Sequence, residues 1–324
     1  MKTVVSKKLF ARNAASIICI RQKRAKKLNK RYYSYSDYLK EVFGQKVHKL
    51  SIDAGFSCPN RDGTISSDGC IFCDDSGSFS QTHSTALSVE EQVKTGINIL
   101  PKRLRAEKFI AYFQAFSNTY APARKLEKVY TAAFCDSRVV GISIGTRPDC
   151  IDEEKIKLIS TLKFPQIEFG LQTIHNDTLR LINRGHEFET FLRAYETVKK
   201  HGIKVCTHVI LGLPNETRAM MLETAHTLAK LGVDGVKLHV LTVLEGSKLA
   251  QIQPPPEIMN ERDYCELVCD FLELLPPETT IHRLAGSGLN STLINPDWVK
   301  NKFRTMNLID KILEERDSRQ GAKY

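Results

Sequence analysis

From residue 47 onward, short apolar segments and helical patterns alternate about every 30 residues, which admits few folds. The segments 47–53, 109–116, 139–145, 166–172, 204–212 and 235–243 are rich in β-branched or aromatic residues, with turn residues after most of them, and are predicted strands. Between them, Ser88 and Glu91 form a capping box, and Pro122 suits the first turn of a helix over 123–134. The acids Asp152, Glu153 and Glu154 open a helix over 155–162. Helices over 187–200 and 217–231 end at Gly202 and Gly232. Six such units predict a parallel sheet with crossover helices. No Gly-x-Gly-x-x-Gly follows a strand, which weighs against an open dinucleotide-binding sheet. Polar clusters at 146–149 and 212–216 stand instead where strands end, as in a barrel. The expectation is a partial (βα)6 TIM-type barrel over 37–247. A small C-terminal α/β extension over 248–324 would complete it: a helix at 262–274, a strand at 280–284, a Gly286–Gly288 turn and helices around 298–315.

Charge separates the chain into two parts. The formal net charge is +10, yet residues 1–36 hold eleven Lys or Arg and no acid. Taking those from the total of 47 leaves 36 basic residues against 37 acidic ones, so the body is near neutral. Its basicity therefore gives no argument for nucleic-acid binding by the body. The arm 1–36 reads as a solvated tail or as an organellar transit peptide ending near Tyr32 to Tyr38, which would move the protein from the cytoplasm to a mitochondrion or plastid. The apolar run 14–20 is short and followed by basic residues, against a secretory signal. No stretch of 18 apolar residues exists, so no transmembrane helix is expected.

Nine cysteines, an odd number, weigh against a disulfide scaffold. Three of them, Cys58, Cys70 and Cys73, share a loop after the first strand with Gly63 and Gly69, whose freedom of backbone lets thiolates converge on a metal. Zinc would take His83 as a fourth ligand. An iron–sulfur cluster held by three thiolates would keep one iron open. Spacing alone leaves both in play. Cys150 and Cys206 read as buried structural thiols, and Cys265 and Cys269, four apart on a helix, do not form a second cluster.

The segments FGQKVHKLSIDAGFSCPNRDGT, CIFC, YFQAFSNTYAP, GISIGTRPDC, EFGLQTIHNDTLRLINRGH, CTHVILGLP and GVKLHVLTVLEGS resemble, in this order, the radical S-adenosylmethionine (SAM) superfamily. The resemblance is to the YhcC/YtqA-like branch of its Elp3-like group and covers about 290 residues, from Arg31 to near the end. It implies that Cys58, Cys70 and Cys73 ligate a [4Fe–4S] cluster that cleaves SAM to a 5′-deoxyadenosyl radical. It places Phe72 near the adenine and pairs Arg184 with the SAM carboxylate. Phe113-Gln114-Ala115-Phe116 stands where the superfamily often has Gly-Gly-Glu for the SAM amino group, and Gln114 offers a carbonyl there. Glu168 and Gln172 share a strand face suited to ribose and the SAM tail, and Thr146 and Arg147 are expected to line the site. The group implies tRNA as substrate, with carboxymethylaminomethyl-uridine at the wobble position converted to aminomethyl-uridine. It also implies an external one-electron reductant such as flavodoxin or ferredoxin. Elp3's acetyltransferase domain finds no room in these 324 residues, so its acetyl-coenzyme A chemistry is not expected here.

Lys237 and His239 are two apart on one strand and so face the same way; with His208 they are candidate substrate or catalytic groups. A buried, satisfied structural pair reads equally well. His282 and Arg283 are weaker candidates. The rival functions are a radical SAM enzyme for a small metabolite or protein side chain, and a zinc-bearing RNA-binding protein without redox chemistry.

Overall fold

The computed structural model describes residues 30–74, 77, 87–104, 107–286 and 292–324. In chain order the elements are α1 (Tyr35–Phe43), β1 (Val47–Ile52), α2 (Val89–Leu104), β2 (Lys108–Phe113), α3 (Ala123–Ala132), β3 (Val139–Thr146), α4 (Glu153–Ser160) and β4 (Pro165–Gln172). Then follow α5 (Asn176–Leu181), α6 (Phe188–Lys200), β5 (Lys204–Leu211), α7 (Arg218–Leu231), β6 (Gly235–Val240), β7 (Val243–Leu244), α8 (Glu261–Leu274), β8 (Thr280–Arg283), β9 (Leu293–Asn295) and α9 (Lys302–Glu315). Seven strands form one curled parallel sheet in the order β1-β2-β3-β4-β5-β6-β8. This is the expected partial barrel, and its seventh strand comes from the C-terminal region. Among the described residues no helix is long and apolar enough to cross a membrane.

Local signals act as the sequence suggests. The Ser88 N–H donates to Glu91 Oε2 at 2.7 Å while the Glu91 N–H donates to Ser88 Oγ at 3.2 Å, so both helix-end donors are satisfied. Asp152 and Thr217 cap α4 and α7. Two strands end three residues earlier than expected. The segment 109–116 leaves the sheet at Phe113, because Phe116 turns into positive φ and the Ser117 N–H bonds the Ser57 carbonyl. The segment 235–243 breaks after Val240, and Val243–Leu244 pairs with β9 instead.

Alternation along each strand sorts the barrel into two faces. Outward residues such as Leu50, Phe109, Ile144, Phe169, Val205 and Leu238 are buried against the helices in the main core. The inward face is polar: Lys49, Tyr112, Ser143, Glu168, His208 and Lys237. Glycines keep that interior from closing. A Cβ on Gly145 would meet the Phe113 carbonyl at 3.1 Å, and one on Gly235 would meet His282 Nε2 and Thr280 Oγ1 at 2.8 Å.

Residues 30–36 belong to this body. Tyr32 and Tyr33 are 3% and 2% exposed. The Ile281 N–H donates to the Tyr33 carbonyl at 2.8 Å, and the Gln320 N–H donates to the Arg31 carbonyl at 2.9 Å. Of the basic arm, residues 1–29 lie outside the described residues.

Candidate active site

The C-terminal ends of the strands open into a cavity of about 250 Å³. Cys58, Cys70, Cys73 and Phe72 line it from the loop after β1. Gln114, Thr146, Arg147, Gln172 and Arg184 line it from the loops and strand ends, and Glu168, His208, Lys237 and His239 from the wall. The structure thus brings these predicted site residues to one place, without the weaker candidate His282. His83, the ligand that zinc would need, lies outside the described residues.

The cysteine loop is pinned from the far side of the barrel. The Asn60 amide donates to the Asn183 carbonyl at 2.7 Å, and the Asn183 amide donates to the Gly69 carbonyl at 2.7 Å. Asn183 has φ 51° and Gly185 φ 73°, and a Cβ on Gly185 would meet Asn60 Oδ1 at 2.6 Å, so this contact needs glycine. The Ile71 N–H bonds the Ile182 carbonyl, and the Leu249 N–H bonds the Ile71 carbonyl. Phe72 packs beside these residues in a small apolar cluster.

Arg184, 6% exposed, donates through Nε and Nη2 to the Gly170 carbonyl and through Nη1 to Cys70 Sγ at 3.5 Å. A Cβ on Gly170 would meet Nη2 at 2.8 Å, so the arginine needs this glycine beneath it. A hydrogen bond with Cys73 and the charges of Arg184 and Arg147 hold the Cys70 thiol well below its usual range, against the opposite pull of burial. Arg147 is 2% exposed and grips Asp149 in a fork of 2.9 and 2.7 Å, leaving Nη1 buried without a partner. Gln114 Nε2 is also buried and unpaired. The Thr146 hydroxyl bonds the Thr119 hydroxyl at 2.6 Å.

Glu168 departs from the expectation of a ribose or SAM contact. Lys49 and Ser143 occupy its Oε1, the latter at 2.6 Å; His208 and Lys237 occupy Oε2 at 2.8 and 3.2 Å. A carboxylate offers about four lone-pair positions, and all are taken. Burial pushes this carboxyl up, but Lys237, Lys49 and His208 outweigh it and hold it well below the usual range. Lys237 also donates to Tyr112 Oη at 2.8 Å, and burial pulls its ammonium down to about 8. Burial and Lys237 draw His208 down to about 4. His282 stacks on Tyr35 at 3.8 Å and reaches Lys49, Gln166 and Thr280, outside the cavity. Cys265 and Cys269 point at the Thr305 and Ile309 carbonyls of α9, and burial raises both to about 12, so these are packing thiols. Asn60 and Arg283, which also lines the cavity, carried no strong signal in the sequence.

Three loop cysteines are the donor set for a metal centre. Among the described residues the trio whose ligand atoms all fall within 4.8 Å is Glu168, Cys206 and His208. That trio is itself no vacant metal site, because two lysines hold its carboxylate. Three thiolates leave one iron of a four-iron cluster open, and the unpaired Gln114 and Arg147 nitrogens leave donors for a second polar ligand there. The residues present fit a cluster with SAM.

Comparisons with known proteins agree. The Radical SAM superfamily matches residues 58–228 and the Radical SAM C-terminal domain matches residues 233–315. YtqA of Bacillus subtilis is 41% identical over 91% of this chain and 93% of its own length. YhcC of Escherichia coli is 38% identical over 84% of this chain and 89% of its own. The tRNA uridine(34) acetyltransferase of Methanocaldococcus infernus is 29% identical over 56% of this chain and 34% of its own. Among solved structures, Elp3 of the same archaeon, lacking its first 46 residues, shares the fold with TM-score 0.67 at 18% identity, over 85% of this chain and 64% of that one. Methylornithine synthase shares it with TM-score 0.52 at 13% identity, over 87% of this chain and 85% of that one. With matched domains spanning most of its length, this chain belongs to the radical SAM superfamily, an enzyme family that works with a [4Fe–4S] cluster and SAM, and within it to the YhcC-like branch of the Elp3-like group.

Proposed function

We propose that the enzyme acts on the wobble uridine of tRNA, converting carboxymethylaminomethyl-uridine to aminomethyl-uridine. The observation that carries this reading is the alignment with tRNA uridine(34) acetyltransferases and Elongator complex protein 3, at 29–30% identity over about half of this chain. In this reading Cys58, Cys70 and Cys73 hold the cluster. Bound there, cluster and SAM supply a 5′-deoxyadenosyl radical once an external reductant such as flavodoxin or ferredoxin delivers one electron. The protein's part is to orient and to exclude water. Arg184, fixed on the Gly170 carbonyl, and Arg147, with Nη1 free, present guanidinium edges to an anionic group, and Gln114 presents an amide. Phe72 supplies a flat apolar wall, with Thr146 and Gln172 at the rim. Lys237 and His239, with His208 behind them, face the substrate.

The test compares the tRNA nucleosides of cells with and without the gene, then supplies SAM, a reductant and the reconstituted enzyme to tRNA from the deletion strain. Carboxymethylaminomethyl-uridine should accumulate in the deletion and fall in the reaction as aminomethyl-uridine rises. Unchanged wobble nucleosides in both arms would turn the search to metabolites or protein side chains.

A further inference from the structure

We propose that Arg283 and Lys237, side by side on the barrel wall, form a receptor for a carboxylate carried by the substrate. The two residues are register partners on β8 and β6, and both line the cavity that holds the three cysteines. Neighbouring strands lie about 4.8 Å apart, so a guanidinium and an ammonium from one rung can reach the same two oxygens.

The charge of the inner wall is unbalanced. Glu168 is its carboxylate, and Lys49 and Lys237 both bind it. Arg283 is half-buried and makes no hydrogen bond or ion pair among the described residues, whereas the buried arginines of the cavity each have one. Arg147 holds Asp149, and Arg184 holds the Gly170 carbonyl. One carboxylate thus faces three cations, and the surplus lies on the Lys237–Arg283 rung. A guanidinium open to the cavity, with an ammonium on the same rung, offers charge-assisted hydrogen bonds to an anion entering there. His239, on the same strand face as Lys237, adds a buried Nε2 without a partner beside this rung. The rung lies within the wall, where the reacting end of a substrate enters, whereas a polymer's phosphates stay on its backbone outside. The anion is therefore assigned to the substrate's own side chain. The choice of nucleoside rests on the tRNA reading above; the receptor itself does not.

The experiment uses the reconstituted full-length enzyme with saturating SAM and measures binding of 5-carboxymethylaminomethyluridine and 5-aminomethyluridine. The wild type should favour the carboxylated nucleoside by about tenfold or more, the contribution of a charge-assisted hydrogen bond. Arg283→Gln should reduce that preference to less than about twofold, and Arg283→Lys should restore part of it. Iron content and SAM affinity should stay at wild-type values in both variants. Equal affinity for the two nucleosides in the wild type overturns the receptor. So does a preference that survives Arg283→Gln, or a SAM affinity that falls with it, which would give the arginine to SAM. If neither nucleoside binds, thermal shifts in acetate, phosphate and chloride at equal ionic strength decide the receptor, and the tRNA reading is left to the nucleoside comparison above. Acetate alone should stabilise the wild type and not Arg283→Gln. A shift absent in acetate, or equal in phosphate, overturns it.

Discussion

The lower and upper halves of the barrel interior are built from the same residue types but differ in how completely those residues are paired. Below, Glu168 is saturated by Lys49, Ser143, His208 and Lys237, and Tyr35, Gln166 and His282 close the floor among themselves. Above, Gln114 Nε2, Arg147 Nη1 and His239 Nε2 are buried with no partner. Buried polar atoms are nearly always bonded in a finished interior, so a group of orphans marks the place where something else binds. Polarity alone would have marked the whole barrel as the site; pairing sets the Glu168 cluster apart from the orphans above it, with Lys237 reaching from one to the other.

The largest effect should come at the mouth of the upper half. Replacing Cys58, Cys70 or Cys73 by Ala should abolish SAM cleavage and remove most of the iron, while Cys135→Ala, at an exposed position, should do neither. Full iron in Cys70→Ala would place the metal elsewhere. In the lower half, Glu168→Gln leaves two lysines facing each other without a counter-charge in a fully buried setting. It should cost about 3–5 kcal/mol in urea unfolding. Wild-type stability in this variant would erase the distinction between the halves.

Arg184→Lys keeps the charge but loses the fork. SAM binding should weaken by roughly 1–3 kcal/mol with the cluster still assembled. An unchanged SAM dissociation constant would remove Arg184 from the cofactor side. The smallest effect concerns pH. Lys237 is faced by Tyr112 on β2, Glu168 on β4, Cys206 and His208 on β5, His239 on its own strand and Arg283 on β8, with Lys49 on β1 behind the carboxylate. Tyr112 and Cys206 are raised well above their usual ranges and stay neutral, and burial keeps His208 and His239 neutral near pH 7. Lys237 is thus the group that loses charge as pH rises through about 8. Affinity for a carboxylated substrate should fall severalfold, roughly, across that interval. A profile flat from pH 7 to 9 would show that Arg283 suffices.

The barrel and the cysteine loop were legible because they rest on local signals: strand-length apolar runs, helix caps and the spacing of three thiols. What was not legible depends on register. Lys49 meets Glu168 across 119 residues, and only the stagger of β1 through β4 shows that the carboxylate has no free oxygen. Asn60 looks like any loop residue until the Asn183 turn arrives beneath it. His282 and Arg283 are adjacent, yet the β6–β8 pairing shifts between Val236 and Lys237, sending one to the floor and the other to the cavity. Sequence spacing within a strand cannot foresee that shift.

The seam between the first and last described residues sets a limit on trimming. Tyr33 is stitched to Ile281 of the seventh strand and to the Gln320 side chain, and Arg31 to the Gln320 backbone. A protease that removed the arm and cut near Tyr32 to Tyr38 would strip the outer edge of β8, the strand that carries Arg283. Any maturation cut compatible with an intact barrel therefore leaves Arg31 in place, and N-terminal sequencing of the native protein should find its first residue no later than that.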